Sequence, residues 1–178
     1  MTRVGAPAAQ FTIEPLAAIH YRSVFASGSA PLDRYFREQA SQDIKRRIAT
    51  CFVAVDLETS DVAGFYTLTA ASVVLDALAP ELVKKLPRYP VVPAALLGRL
   101  AIATRSQGKG LGAALLADAL LRVARVEMGV FAMLVDAKDD AAQRFYERHG
   151  FVLLAGEQRR LVLPIATALR ALEAKSAK

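Results

Sequence analysis

The chain has 178 residues, 54% of them apolar, and a formal net charge of +6. That is enough for one domain with a full core and too few for two comfortable ones, and it is too apolar for a disordered chain. No apolar run reaches membrane-spanning length, and the opening MTRVGAPAAQFTIEP lacks the apolar centre of a signal peptide, so a cytoplasmic protein without membrane contact is expected.

In chain order, FTIEPL reads as a first strand. PLDRYFREQASQDIKRRIAT carries Leu32, Tyr35, Phe36, Ala40 and Ile44 at helical spacing behind Pro31, and predicts one helix. CFVAVD and VAGFYTLTAA, separated by LETSD, predict a hairpin. Cys51 opens the first of these strands and reads as a core residue; a single cysteine suits a reducing compartment. From Ser72 to Pro93 an irregular stretch is expected, with a short helix near Ala79–Leu86, because Pro87, Pro90 and Pro93 break anything longer. AALLGRLAIA predicts a buried strand, and Leu111–Glu127 a strong helix with Leu115, Leu116, Ala119, Leu120 and Val123 on one stripe and Gly129 as its stop. VFAMLVD is a second buried strand. DDAAQRFYERHG is a helix with acidic residues in its first turn and Gly150 after its last. FVLLAG and RRLVLPI read as closing strands, and the tail from Ala166 to Lys178 as a helix that frays. The order predicts a single domain over 1–178 of mixed α/β class, with a crossover helix near the middle of the sheet.

The charge is unevenly placed. No acidic residue lies between Leu82 and Ala117, while Lys84, Lys85, Arg88, Arg99, Arg105 and Lys109 do. A solvated basic face is the plain reading; a polyanion site is the sharper one, because RSQGKGLGAAL falls in this stretch, with glycines at 108, 110 and 112 at the mouth of a helix. A nucleotide P-loop would need glycine at Ala103 and a hydroxyl at Gly110, so it is excluded. Gly108, Gly110 and Ala113 satisfy the dinucleotide pattern G-x-G-x-x-A, with Asp136 ending the next strand, but five residues separate Ile102 from Gly108 and too little chain follows Asp136 for the remaining parallel strands.

The third reading takes Gln107-Gly108-Lys109-Gly110-Leu111-Gly112 as Q/R-x-x-G-x-G/A. With FYERHGF one helix and one strand further on, the chain resembles the GNAT acetyltransferases. From about Phe25 to Leu163 it is similar to the GNAT toxins of bacterial toxin–antitoxin pairs, the TacT and AtaT type, through RLAIATRSQGKGLGAALLADALLR, RFYERHGF, VAGFYTLT and FASGSAPLDRYFREQA. It departs from them at Ala103, where relatives often carry Asp, and at Lys138-Asp139-Asp140, which varies.

The resemblance implies an α+β fold with a mostly antiparallel central sheet flanked by helices. It implies acetyl-CoA as cosubstrate, with its pyrophosphate on Gln107, Gly108, Lys109, Gly110, Leu111, Gly112 and Ala113 and its pantetheine arm along Leu100, Ala101 and Ile102. It also implies Tyr146 as general acid, aminoacyl-tRNA as acceptor, a ribbon–helix–helix antitoxin and a homodimer. No metal is expected. A tyrosine hydroxyl, with an ordinary pKa near 10, suits protonation of a leaving thiolate. No carboxylate or histidine stands out as a general base. His149 reads as packed or solvent-facing, and His20 carries no motif. For tRNA, Arg99, Lys84, Lys85 and Arg88 are the candidate contacts, with Arg46, Arg47, Arg159 and Arg160 weaker; for Arg99 a structural ion pair is the competing reading. Two other functions compete with the toxin: a GNAT enzyme for a small amine or a protein N-terminus, and a non-catalytic acyl-CoA-binding module. The basic stretch disfavours a polyamine, and Tyr146 disfavours the non-catalytic module.

Overall fold

Alternation of apolar residues along TCFVAVD and VAGFYTLTAASVV yields the antiparallel core of the structure: β2 (Thr50–Asp56) pairs with β3 (Val62–Val74) from Thr50 opposite Leu68 to Val55 opposite Val62, with a register shift at Ala54/Val55. The computed structural model describes residues 10–177. Seven strands follow the order β1-β2-β3-β4-β5-β7-β6. β1 (Phe11–Pro15) pairs antiparallel with β2, and β4 (Val91–Ile102) pairs parallel with β5 (Ala132–Asp136). β7 (Arg160–Pro164) pairs antiparallel with both β5 and β6 (Val152–Leu153). The mixed, mostly antiparallel sheet expected from the sequence is present, and helices accompany it.

The residues fall into two compact units: those up to Thr69 with Arg99–Ala119, and Ala70–Gly98 with those from Leu120 on. In the first, the core gathers Phe25, Tyr35, Phe36, Ala40, Cys51, Val53, Val62, Phe65, Ala101 and Ala103. Phe36 stacks on Phe65 with centroids 4.3 Å apart, and Phe25 meets both edge-on. Each such ring pair adds about 0.5–1.5 kcal/mol beyond its buried area. The single helix expected over residues 31–47 is three pieces: α1 (Ala30–Arg34), a π-helical turn (Tyr35–Gln39) and α2 (Ala40–Lys45). Tyr35 and Phe36, both expected on the apolar face, are buried, but through a wider turn that 3.6-residue periodicity does not anticipate.

In the second unit, Val73, Leu75, Leu78, Val92, Ala94, Ala132, Leu134, Leu154 and Val162 form the core. Here β4 begins at Val91, before the expected start, and Pro93 lies within it. The Pro93 carbonyl accepts from Phe131 N at 2.9 Å, so a residue without a donor still serves the ladder as an acceptor. Only Val152–Leu153 of FVLLAG is strand. The short helix of the irregular stretch is α3 (Pro80–Val83). Helix α4 (Leu111–Arg125) stops before Gly129, α5 spans Asp140–Arg148, and α6 spans Ile165–Ser176. Among the described residues, no helix is long and apolar enough to cross a membrane.

Candidate active site

The glycine loop belongs to the first unit. Gly108 and Gly110 have φ of +74° and +80°, the left-handed region that side chains disfavour, which is why this turn is glycine. The first bond of α4 is Ala114 N to Gly110 O, at 3.1 Å. Among the described residues, the amides from Gly108 to Ala113 have no bonded acceptor. They sit at the N-terminus of a 15-residue helix with no acidic residue in its first turn. Unsatisfied donors and the positive end of the helix dipole coincide there, and both favour an anion. Lys109 is exposed beside them.

The side chain of Gln107 acts inwards. Its Nε2 donates to the carbonyls of Ser27 (2.8 Å) and Ile102 (2.9 Å). Thr104 donates through both N and Oγ1 to Ala26 O, each at 2.9 Å. Asp33 completes the clip, accepting from Ser27 N and Oγ. The first residue of the motif therefore ties the loop before α1 to the end of β4. Behind the loop, Gly64 lets β3 approach closely: a Cβ there would lie 3.0 Å from Ala101 O, Ile102 Cδ1 and Leu115 Cδ1. The parallel β4–β5 pairing ends at Leu97 opposite Val135, short of Leu100, Ala101 and Ile102.

Arg99 places its guanidinium 3.5 Å from the centroid of the Tyr35 ring, a cation–π contact in place of the ion pair that the apolar strand context suggested. Tyr35 donates to Asp43 Oδ2 at 2.9 Å, and burial with this carboxylate raises its pKa. Burial pushes the Cys51 thiol up to about 12, so it is a core group and no nucleophile at neutral pH.

Tyr146 belongs to the second unit, on α5. The helix begins with Asp139, whose carboxylate accepts from Ala142 N at 2.8 Å; this cap holds its pKa below the usual aspartate range. The Tyr146 ring is 7% exposed and meets Phe145 and Phe151 edge-on, at 5.2 and 5.5 Å. Burial raises its pKa well above 10. Three tyrosines are buried. Tyr35 donates to Asp43 and Tyr66 to Asp118, whereas the Tyr146 hydroxyl has no partner among the described residues. His149 is packed: Nδ1 lies 2.7 Å from Phe145 O and the ring 4.6 Å from that of Phe145.

Among the cations, Arg159 and Arg160 are paired with Asp140 and Asp136, the latter pair bidentate at 2.7 and 2.8 Å. Arg105 pairs with Asp61. Lys84, Lys85 and Arg88, after α3, are exposed and have no such partner among the described residues. No cluster of three or more potential metal ligands occurs among the described residues.

The left-handed glycine turn thus offers unsatisfied amides to an anion at the start of α4, and α5 carries a tyrosine whose ring is buried and whose hydroxyl has no partner among the described residues. Residues 47–153 match the family model for an acetyltransferase (GNAT) domain. A tRNA-acetylating toxin of Mycobacterium tuberculosis (strain ATCC 25618 / H37Rv) is 37% identical over 141 residues, 78% of this chain and 82% of that protein. A probable toxin TacT of Sinorhizobium fredii (strain NBRC 101917 / NGR234) is 29% identical over 170 residues, covering 90% and 94%. The solved structure of AtaT complexed with acetyl-methionyl-tRNAfMet superposes with a TM-score of 0.84 at 29% identity, covering 91% of this chain and 99% of that one. The chain belongs to the GNAT acetyltransferase family, within its TacT- and AtaT-type toxins.

Proposed function

We propose that this enzyme transfers the acetyl group of acetyl-CoA to the amino group of the amino acid on charged tRNA, and so blocks translation. The observation that carries the chemistry is Tyr146, whose ring is buried and whose hydroxyl has no partner among the described residues, where the other buried tyrosines are held by aspartates. The loop fits the cosubstrate: free amides from Gly108 to Ala113 take the pyrophosphate, with Gln107 fixing the loop behind them, and backbone at Leu100, Ala101 and Ile102 meets the pantetheine arm. Bound there, acetyl-CoA supplies a thioester-activated acetyl group.

The chain's own work is to orient, and to keep one proton in place. Because burial favours the neutral phenol, Tyr146 Oη holds its proton throughout the physiological range and has it available for the departing sulfur. No general base is required: a free α-amine titrates near 8 and an esterified amino acid lower, so a useful fraction is neutral at pH 7. Lys84, Lys85 and Arg88, which have no ion-pair partner among the described residues, take the tRNA phosphates, while Arg99 contributes from its place over Tyr35. The relatives named tRNA-acetylating toxin and TacT support this acceptor over a small amine. A ribbon–helix–helix antitoxin as partner, a homodimer and a cytoplasmic site of action complete the reading.

The test is a comparison of acceptors with labelled acetyl-CoA: charged tRNA, uncharged tRNA, free amino acids and polyamines. Transfer confined to charged tRNA is the expected result. Polyamines or free amino acids acetylated as fast would replace this reading with a small-amine enzyme.

A further inference from the structure

The segment KKLPRYP places an aromatic ring in solvent among cations that have no partner among the described residues. Tyr89 is 64% exposed, with no ring stacking, hydrogen bond or cation–π contact from its side chain among the described residues. Lys84, Lys85 and Arg88 are exposed and equally unengaged among the described residues. Yet the segment is anchored. Leu82, Val83 and Leu86 pack against the core of the second unit. Lys85 N bonds to Leu82 O, Leu86 N to Val83 O, Tyr89 N to Pro87 O at 2.8 Å, and Leu75 N to Pro90 O at 3.1 Å. Pro87 and Pro90 bracket the tyrosine and restrict its backbone. The apolar residues are thus directed into the core, and a ring and three charges outwards, from backbone that is already ordered.

That combination has a specific use. Cations alone serve any polyanion, but they give no reason to hold a large ring in water. Single-stranded nucleic acid offers both phosphates and unstacked bases, and proteins bind it by pairing cations with the first and aromatic faces with the second. The amino acid on charged tRNA is carried by the unpaired 3′ end.

We propose that Tyr89 is a stacking platform for an unpaired base of the RNA 3′ end, with Lys84, Lys85 and Arg88 on the adjoining phosphates. The proposal rests on charged tRNA being the acceptor. It makes Tyr89 a positioning residue: it acts on the substrate's arrival and leaves the chemical step to Tyr146.

The test compares wild type, Tyr89→Phe, Tyr89→Ala and the triple Lys84→Ala/Lys85→Ala/Arg88→Ala variant with charged tRNA over a range of salt, alongside melting temperature and acetyl-CoA affinity. Stacking is worth enough per base that Tyr89→Ala should raise KM about 5- to 150-fold with kcat kept. Tyr89→Phe, which retains the ring, should stay within about twofold of wild type. Tyr89→Ala should leave the salt slope unchanged, while the triple variant should flatten it by about 2, at roughly 0.7 per lost phosphate contact. An unaltered KM in Tyr89→Ala, or a Phe variant as weak as the Ala variant, overturns the proposal. So does inhibition by a base-free polyanion such as polyphosphate that equals inhibition by a short single-stranded RNA in wild type. Wild-type protein that fails to acetylate charged tRNA at all defeats the functional reading itself, a result distinct from any of these.

Discussion

Gln107 and Ser27, 80 residues apart in sequence, are joined by a 2.8 Å hydrogen bond from side-chain amide to backbone carbonyl. The same amide reaches Ile102 O, so one side chain fastens the loop before α1 to the end of β4, immediately ahead of the glycine turn. Gln107→Ala removes two neutral hydrogen bonds, each worth about 0.5–1.5 kcal/mol net, and the exposure of the site puts the loss near the low end. We expect a small drop in melting temperature and a clear weakening of acetyl-CoA binding by calorimetry. Gln107→Glu should be worse than Ala, because a carboxylate would face two carbonyl oxygens.

The turn itself should respond to size and charge in different ways at different glycines. Gly108 faces open space, so Gly108→Ala carries only the cost of its positive φ, about 1–2 kcal/mol. Gly110→Asp adds a carboxylate beside the amides that await an anion, and should abolish acetyl-CoA binding. Gly64→Ala meets backbone and two side chains at 3.0 Å and should destabilise the fold by about 1–3 kcal/mol. Denaturation and titration calorimetry on the three variants separate these effects; unchanged acetyl-CoA affinity in Gly110→Asp would remove the loop from the site.

For the chemical step, Tyr146→Phe deletes one oxygen from a hydroxyl that no described residue engages, so folding and acetyl-CoA binding should persist. Acetyl transfer should fall about 100- to 10,000-fold. Because burial holds the Tyr146 pKa well above 10, the wild-type rate should climb as the acceptor amine loses its proton and show no falling limb from this residue up to pH 10. A falling limb near pH 8, absent in the Phe variant, would contradict this.

Asp139 sets a different pH dependence. Its pKa in the folded chain is lowered, first by the hydrogen bond from Ala142 N, so its cap stabilises α5 above the unfolded value near 3.9 and is lost as pH falls through the lower folded value. Asp139→Ala should lower the melting temperature at pH 7, with the difference from wild type shrinking below pH 4. Asp139→Asn, which can still accept from the Ala142 amide, should recover much of the loss at neutral pH. Thermal melts from pH 3 to 7 check both.

The parts legible in the sequence were those written locally. The glycine turn, the apolar stripe of α4 and the acidic start and Gly150 end of α5 each lie within a few residues, and periodicity or capping chemistry reveals them. What was hidden depends on partners far along the chain. The inward role of Gln107 needs Ser27, and the difference between Tyr146 and Tyr66 appears only once Asp118, 52 residues from Tyr66, is in place. For Arg99, read as a tRNA contact with a structural ion pair as the competing reading, sequence records the charge and not the ring of Tyr35 beneath it. The π turn and the early start of β4 were missed because each breaks a rule, on helical period and on proline, that tertiary packing overrides. Tyr89 carried no motif; its signal was an aromatic residue between prolines in the acid-free stretch.

The burial of Cys51 has a practical outcome. It is the sole thiol of the sequence, and its thiolate is scarce at neutral pH. A cysteine introduced at an exposed site such as Glu173 on α6 would react alone with maleimide dyes under native conditions, with the wild-type thiol left in place. A fluorophore attached there, paired with a second on an RNA 3′ end, would report arrival of the acceptor by energy transfer, without the cysteine-free background that such labelling ordinarily demands.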